Sequence, residues 1–203
     1  MGYYHSWQGR GAPEVFRLIR ADFEKLILPL ADVGCPIAGP LGTGLPEITN
    51  EYIQFNGIRH CGHEKVDGPV VIFPAEDACG IDSDHGKLFS VAFFGLVTKH
   101  RCDGQCCHDD FWLGKQYDRG FCKTAFKPYD VAVTAALIIA KHHWGENFEI
   151  TSCGSDAQWW DAKLICQRIL GYGASFKFVR KCRPPTPLEL ASEPVEVMSL
   201  EEL

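Results

Sequence analysis

The chain has 203 residues, 46% apolar and 12% aromatic, which suits one domain with a real core. A net charge of −6 and a pI near 5.7 give no global basis for nucleic-acid binding, although Lys177, Arg180, Lys181 and Arg183 form a local basic cluster. The longest apolar run, Val131 to Ala140, falls far short of the roughly 20 residues that span a bilayer.

The opening MGYYHSWQGRGAPE is polar and glycine-rich, with no secretion-signal pattern, so a cytoplasmic location is expected. Ten cysteines in such a chain point to thiols or metal ligands rather than a disulfide framework. Cys35 and Cys166 read as small hydrophobes.

Residues 13–28 form the first clear element. Val15, Leu18, Ile19, Phe23, Leu26 and Ile27 recur at helical spacing, and Pro13 and Glu14 begin the helix well. This is an amphipathic helix packed on the domain. Residues 34–50 are rich in glycine and proline. Gly39, Gly42 and Gly44 match neither the P-loop nor the dinucleotide fingerprint, so the stretch reads as a turn-rich connection. Glu51 to Asn56 reads as a strand ending in an Asn56-Gly57 turn. Val70 to Phe73 and Leu88 to Val97 read as buried strands, the second central to the sheet.

A Cys/His-rich loop follows at 100–108. Cys102 and Cys106 bracket an Asp-Gly turn, with Cys107 and His108 beside them. A tight turn lets two thiolates meet one ion, and Cys and His are the ligands zinc prefers. A second ligand pair must come from elsewhere, with Cys61 and His63 (beside His60) ahead of Cys79 and His85. The bland alternative is a loop of free thiols or one disulfide. An open, catalytic zinc would leave Glu64, next to His63, as a base.

Residues 119–180 read as strand, helix, strand, helix, strand. Phe121 to Thr124 is the first strand. Pro128 suits a first helical turn and Asp130 complements the helix dipole. Val131 to Ala140 is uniformly apolar, so this helix is buried; Lys141, His142 and His143 close it before Gly145. Phe148 to Ser152 alternates as a strand does. Ser155 or Asp156 caps a second helix that ends at Gly171, and residues 176–180 form the last strand. Helix-containing crossovers of this length favour parallel strands. The expected fold is therefore α/β, a mixed, mainly parallel sheet with a C-terminal βαβαβ unit and an N-terminal amphipathic helix. One domain spans 1–183, and 184–203 is a flexible acidic, proline-containing tail.

In open sheets of this kind ligands sit beyond the carboxyl ends of the strands. Lys123, Thr124 and Lys127 from the 123–128 loop, and Ser152 and Ser155 from the 152–156 loop, would converge there with free N–H groups. That is a candidate anion site. Ordinary helix caps and solvated lysines are the plainer alternative, and Asp130 and Asp156 already supply negative charge.

The blocks AGPLGTGLPEITNEYIQFNG at 38–57, His63-Glu64, KTAFKPYD at 123–130 and Ile150-Thr-Ser152 resemble a group of uncharacterised proteins encoded by tailed bacteriophages. The match covers about half of the chain, and Phe126 stands where the pattern has a basic residue. The 100–108 loop lies outside it. The resemblance implies an accessory protein of the host cytoplasm and carries no activity with it.

Three functions follow as expectations. The first is binding of an anionic small molecule or a host partner at the 123–128 and 152–156 loops. The second is a metal-dependent hydrolase or nuclease using His63 and Glu64, with Asp82 or Asp84. The third is a protein whose loops zinc staples. No complete catalytic motif accompanies the second, and binding is preferred over catalysis.

Overall fold

The structure is a computed structural model, and it describes residues 3–32, 35–61, 69–70, 98–99, 105–116, 119–154 and 156–180. The tail at 184–203, the apolar run at 88–97 and most of the 70–73 segment lie outside the described residues.

Ten short strands and three α-helices are described. The first strand, β1 (Tyr4–Gly9), was not expected from the sequence. Its alternation buries Tyr3, His5 and Trp7 on one face while Tyr4, Ser6 and Gln8 are more open, as a period of two requires. A 3-10 turn at Pro13–Val15 leads into α1 (Phe16–Asp32). Its buried stripe is Phe16, Ile19, Phe23, Leu26 and Leu30, so the expected amphipathic helix forms and runs four residues further.

The connection after α1 carries β2 (Ile37–Ala38) and β3 (Glu47–Ile48), both laid against β4 (Tyr52–Gly57). The expected Asn-Gly turn does not form. β4 runs on through Asn56 and Gly57, which pair with Ala38 and Ile37. Asn56 is buried and donates through Nδ2 to the His108 carbonyl at 2.9 Å, while its Oδ1 accepts from the His108 N–H at 3.0 Å. Tertiary partners replace the turn that the dipeptide favours locally. Gly57 lies against the Cys106 carbonyl, where a Cβ would collide.

β5 (Pro69–Val70) and β6 (Thr98–Lys99) form a separate two-residue ladder. β7 (Phe111–Gly114) pairs antiparallel with β4. β8 (Arg119–Lys123) leads into α2 (Asp130–Trp144), then β9 (Phe148–Ser152), α3 (Trp160–Leu170) and β10 (Val179–Arg180).

The expectation of a mainly parallel sheet is wrong. The larger sheet has the order β10-β9-β1-β8, and β1 is antiparallel to both neighbours. The second sheet is antiparallel throughout. Among the described residues the only parallel pairing is the two-residue contact of β10 with β9. β8 and β9 do run the same way, because each opposes β1, but the N-terminal strand sits between them. The crossover rule held for direction and failed for adjacency.

α2 is the hub of the core. Every residue from Val131 to Ala140 is buried, since α2 packs against α1 and α3 and also lies on β9. A helix enclosed on this many sides needs no polar face. One core joins Phe16, Phe23, Ile53, Phe55, Phe111, Leu137, Ile150 and Trp159. The last strand is shorter than expected. Phe176 and Phe178 stack on Trp159 instead, with ring centroids 5.1 and 4.6 Å away.

Six described cysteines are not in disulfides, and Cys153 is disulfide-bonded. Thiols thus predominate, as expected, but one cysteine departs from that reading. Burial pushes the thiols of Cys35, Cys122 and Cys166 above their ordinary values, which keeps them neutral. Among the described residues no helix is long and apolar enough to cross a membrane.

Candidate functional site

The carboxyl ends of β8 and β9 and the amino end of β1 meet at one edge, because Tyr4 is in register with Lys123 and His5 with Ser152. The strands that lead into the two loops therefore end at the same edge, but they are not neighbours, because β1 stands between them. His5, Thr124 and Ser152 are fully buried there, and Asp130 nearly so.

A directed chain of hydrogen bonds links them. Ser152 Oγ accepts from the Gly154 N–H at 2.8 Å and from Trp159 Nε1 at 3.1 Å. Its own proton therefore points to His5 Nδ1, 2.9 Å away. That makes Nδ1 the acceptor, so Nε2 carries the ring proton and donates to Asp130 Oδ1 at 2.7 Å. Thr124 donates to the same carboxylate oxygen at 2.6 Å. Burial, then the Asp130 charge, pushes the phenol of neighbouring Tyr3 well above its ordinary value.

The loop that carries Thr124 is strained. Ala125 and Phe126 have φ of 50° and 60°, a region that disfavours residues with a side chain. The Lys127 N–H closes the turn on the Thr124 carbonyl at 2.9 Å. Consecutive positive φ values at the two central positions of such a turn are usually left to Gly, Asn or Asp.

Two clefts flank this edge. One, about 400 Å³, is lined by Arg59, Gln105, Cys107, His108, Asp109 and Lys127, with Leu41 at its side. Lys127 is only 6% exposed, and its Nζ donates to the Gln105 carbonyl at 2.8 Å. His108 Nδ1 lies 3.0 Å from Asp109 Oδ1. The other cleft, about 490 Å³, lies between the turn after β9 and the segment after α3. Gly154, Lys163, Phe176, Lys177 and Phe178 line it. Lys163 is buried and paired with Asp156 at 2.5 Å.

Of the residues expected to bind an anion, Thr124 and Ser152 belong to the buried chain and Lys127 to the first cleft. Lys123 is half-buried, its N–H held by Asp109 Oδ2 at 3.2 Å. Ser155 lies outside the described residues. So do Cys102, His63 and Glu64, which carry the metal and hydrolase expectations. Of the remaining metal candidates, Cys106 is buried, its N–H on the Ile58 carbonyl, and the Cys107 thiol faces Gln105 Oε1 at 3.8 Å. Cys61 is half-buried and His108 exposed. Among the described residues no group of three or more His, Cys, Asp or Glu is placed to hold a metal.

Sequence reasoning missed His5, Asp130 as a carboxylate partner, Arg59 and Gly154. The one available signal for His5 was the alternation Tyr3, His5, Trp7. No family model, no curated protein and no solved structure matches the chain.

Proposed function

We propose that the protein is a phage-type accessory protein that holds a small anion at the edge where β8 and β9 end. One observation carries this reading. Among the described residues, the cleft beside the 123–128 loop is lined by Arg59, Lys127 and His108 and by one carboxylate, Asp109, in a chain of net charge −6. A guanidinium offers a planar fork of donors suited to carboxylate and phosphate. The strained turn at Ala125 and Phe126 sets the position of Lys127 and is itself the kind of backbone that collects at binding sites.

The test is a thermal-shift and calorimetry series with inorganic phosphate, pyrophosphate and citrate. Binding is expected to be saturable, to weaken with salt, and to fall about 10-fold in Arg59→Ala, the loss of one charge-assisted hydrogen bond. No saturable binding of any of the three at millimolar concentration sinks the reading. Binding that survives unchanged in both Arg59→Ala and Lys127→Met would place the anion elsewhere.

A further inference from the structure

We propose that Ser152, His5 and Asp130 are a nucleophile, base and orienting carboxylate for acyl transfer, acting on an ester or thioester bound in the cleft lined by Gly154, Phe176, Lys177 and Phe178. This activity does not depend on the anion site beside Lys127.

The geometry meets the requirement for an activated hydroxyl. Nucleophile and base lie within hydrogen-bond reach, and a third group fixes the base. Here the distances are 2.9 Å from Ser152 Oγ to His5 Nδ1 and 2.7 Å from His5 Nε2 to Asp130 Oδ1. The tautomer is set by the partners, since the two N–H donors on Ser152 leave its proton only the His5 acceptor. Each of the three side chains comes from a different element, so the arrangement is not a local turn motif.

Packing alone does not account for the chain. Position 5 points into a core beside Tyr3 and Trp7, where an apolar side chain would fill the space with no polar group to desolvate. Replacing a buried ionic or polar set by apolar groups of similar size is often neutral or stabilising. A fully buried histidine with two side-chain partners is the arrangement that acid-base chemistry needs and that packing does not.

Ser152 closes β9, and its turn opens onto the 490 Å³ cleft through Gly154. Gly154 has no side chain, and a Cβ there would stand 3.0 Å from Ser152 Oγ and 2.7 Å from the Tyr3 hydroxyl. The Gly154 peptide is what separates Ser152 from the cleft, so reaction requires that peptide to move aside. Phe176 and Phe178 give the cleft an apolar wall and Lys177 a cation, while the Asp156 carboxylate on its lining is paired with Lys163. These fit an apolar acyl group joined to an acidic leaving group.

In the first step the Ser152 proton passes to His5 Nδ1 as Oγ bonds to the acyl carbon. Asp130 stabilises the resulting imidazolium through the Nε2 proton. Once the Gly154 peptide has moved aside, Trp159 Nε1–H, which holds Oγ at rest, is the donor nearest the oxyanion. The tetrahedral adduct then expels the alkoxide or thiolate, which takes the proton from His5 Nδ1. Water repeats the sequence against the acyl-serine, with His5 as base, and releases a carboxylic acid and free Ser152.

The test treats the full chain with an alkyl fluorophosphonate, whose fluoride Oγ displaces, and reads intact mass and peptide maps. One adduct per chain on Ser152 is expected. Ser152→Ala should abolish it, and His5→Gln should slow it at least about 100-fold, the usual contribution of a general base. Saturating inorganic phosphate should leave the wild-type labelling rate unchanged, which separates this activity from anion binding. The wild-type experiment stands whether or not a variant folds. A folded wild-type chain that gains no adduct, or gains it on another residue, overturns the proposal, as does a folded His5→Gln variant that labels as fast as wild type.

Discussion

Tyr3 stacks on Phe126, with ring centroids 3.9 Å apart and planes 25° from parallel. The Tyr3 carbonyl also accepts from the Ala125 N–H at 3.2 Å. Strand β1 thus holds the strained turn from above and from its backbone. The strain, of order 1 kcal/mol or more at each residue, persists because the surroundings determine it.

The two halves of the turn should respond differently. Ala125→Gly relieves an unfavourable φ but adds backbone entropy to the unfolded chain, so stability should stay within about 1 kcal/mol of wild type. Phe126→Gly relieves the same φ and loses the ring stack, and should cost about 1–3 kcal/mol. Urea unfolding midpoints of the two variants check this. Equal stabilities would mean that the stack contributes nothing.

β1 is an interior strand of its sheet, with Ser6 in register with Phe121 on one side and Thr151 on the other. Ser6→Pro removes a backbone donor and constrains φ in a central strand, which should cost roughly 3 kcal/mol or more. His5→Ala removes the shared partner of Ser152 and Asp130 in a dry setting and should cost about 2–4 kcal/mol. Denaturant unfolding measures both. A mild effect of Ser6→Pro would contradict the interior placement of β1.

Asp22 on α1 accepts from His143 Nε2 and from the Tyr172 hydroxyl, each at 2.8 Å, and from Lys25 at 2.7 Å. Partial burial works against its charged form, but the hydrogen bonds outweigh that and hold the carboxyl below its ordinary value. A carboxyl depressed in the folded state stabilises the fold above its unfolded value, and that contribution is lost as pH falls through the folded one. Asp22→Asn should therefore lower stability by about 1 kcal/mol near pH 7. The gap between variant and wild type should begin to narrow below about pH 4, where the unfolded carboxyl takes its proton first, and close as pH falls through the lower folded value. Unfolding midpoints across pH 7 to 3 give the test, and a gap that is constant with pH would show that the Asp22 charge is not involved.

Much of the C-terminal half was legible because its signals are local. The uniform apolar run of α2, the basic close at Lys141 to His143 and the left-handed Gly171 at the end of α3 each follow from near neighbours in the chain. The common direction of β8 and β9 was legible too, because crossovers of that length set strand direction. Residues 4–9 were not legible as a strand, since Gly2, Gly9 and Gly11 surround them and half their side chains are polar. Asn56-Gly57 misled because its turn preference is weak beside three long-range hydrogen bonds and strand partners.

By itself the sequence determined the helices, the direction of β8 and β9 and the residue types gathered at their ends, because periodicity, caps and crossover length act within about 20 residues. Only the tertiary structure decided that β1 enters between those strands and that His5 thereby meets Ser152 and Asp130, at separations of 147 and 125 positions. Strand insertion is governed by the burial of Tyr3, His5 and Trp7 against the rest of the core. That free energy belongs to the assembled sheet and has no counterpart in any local stretch of chain.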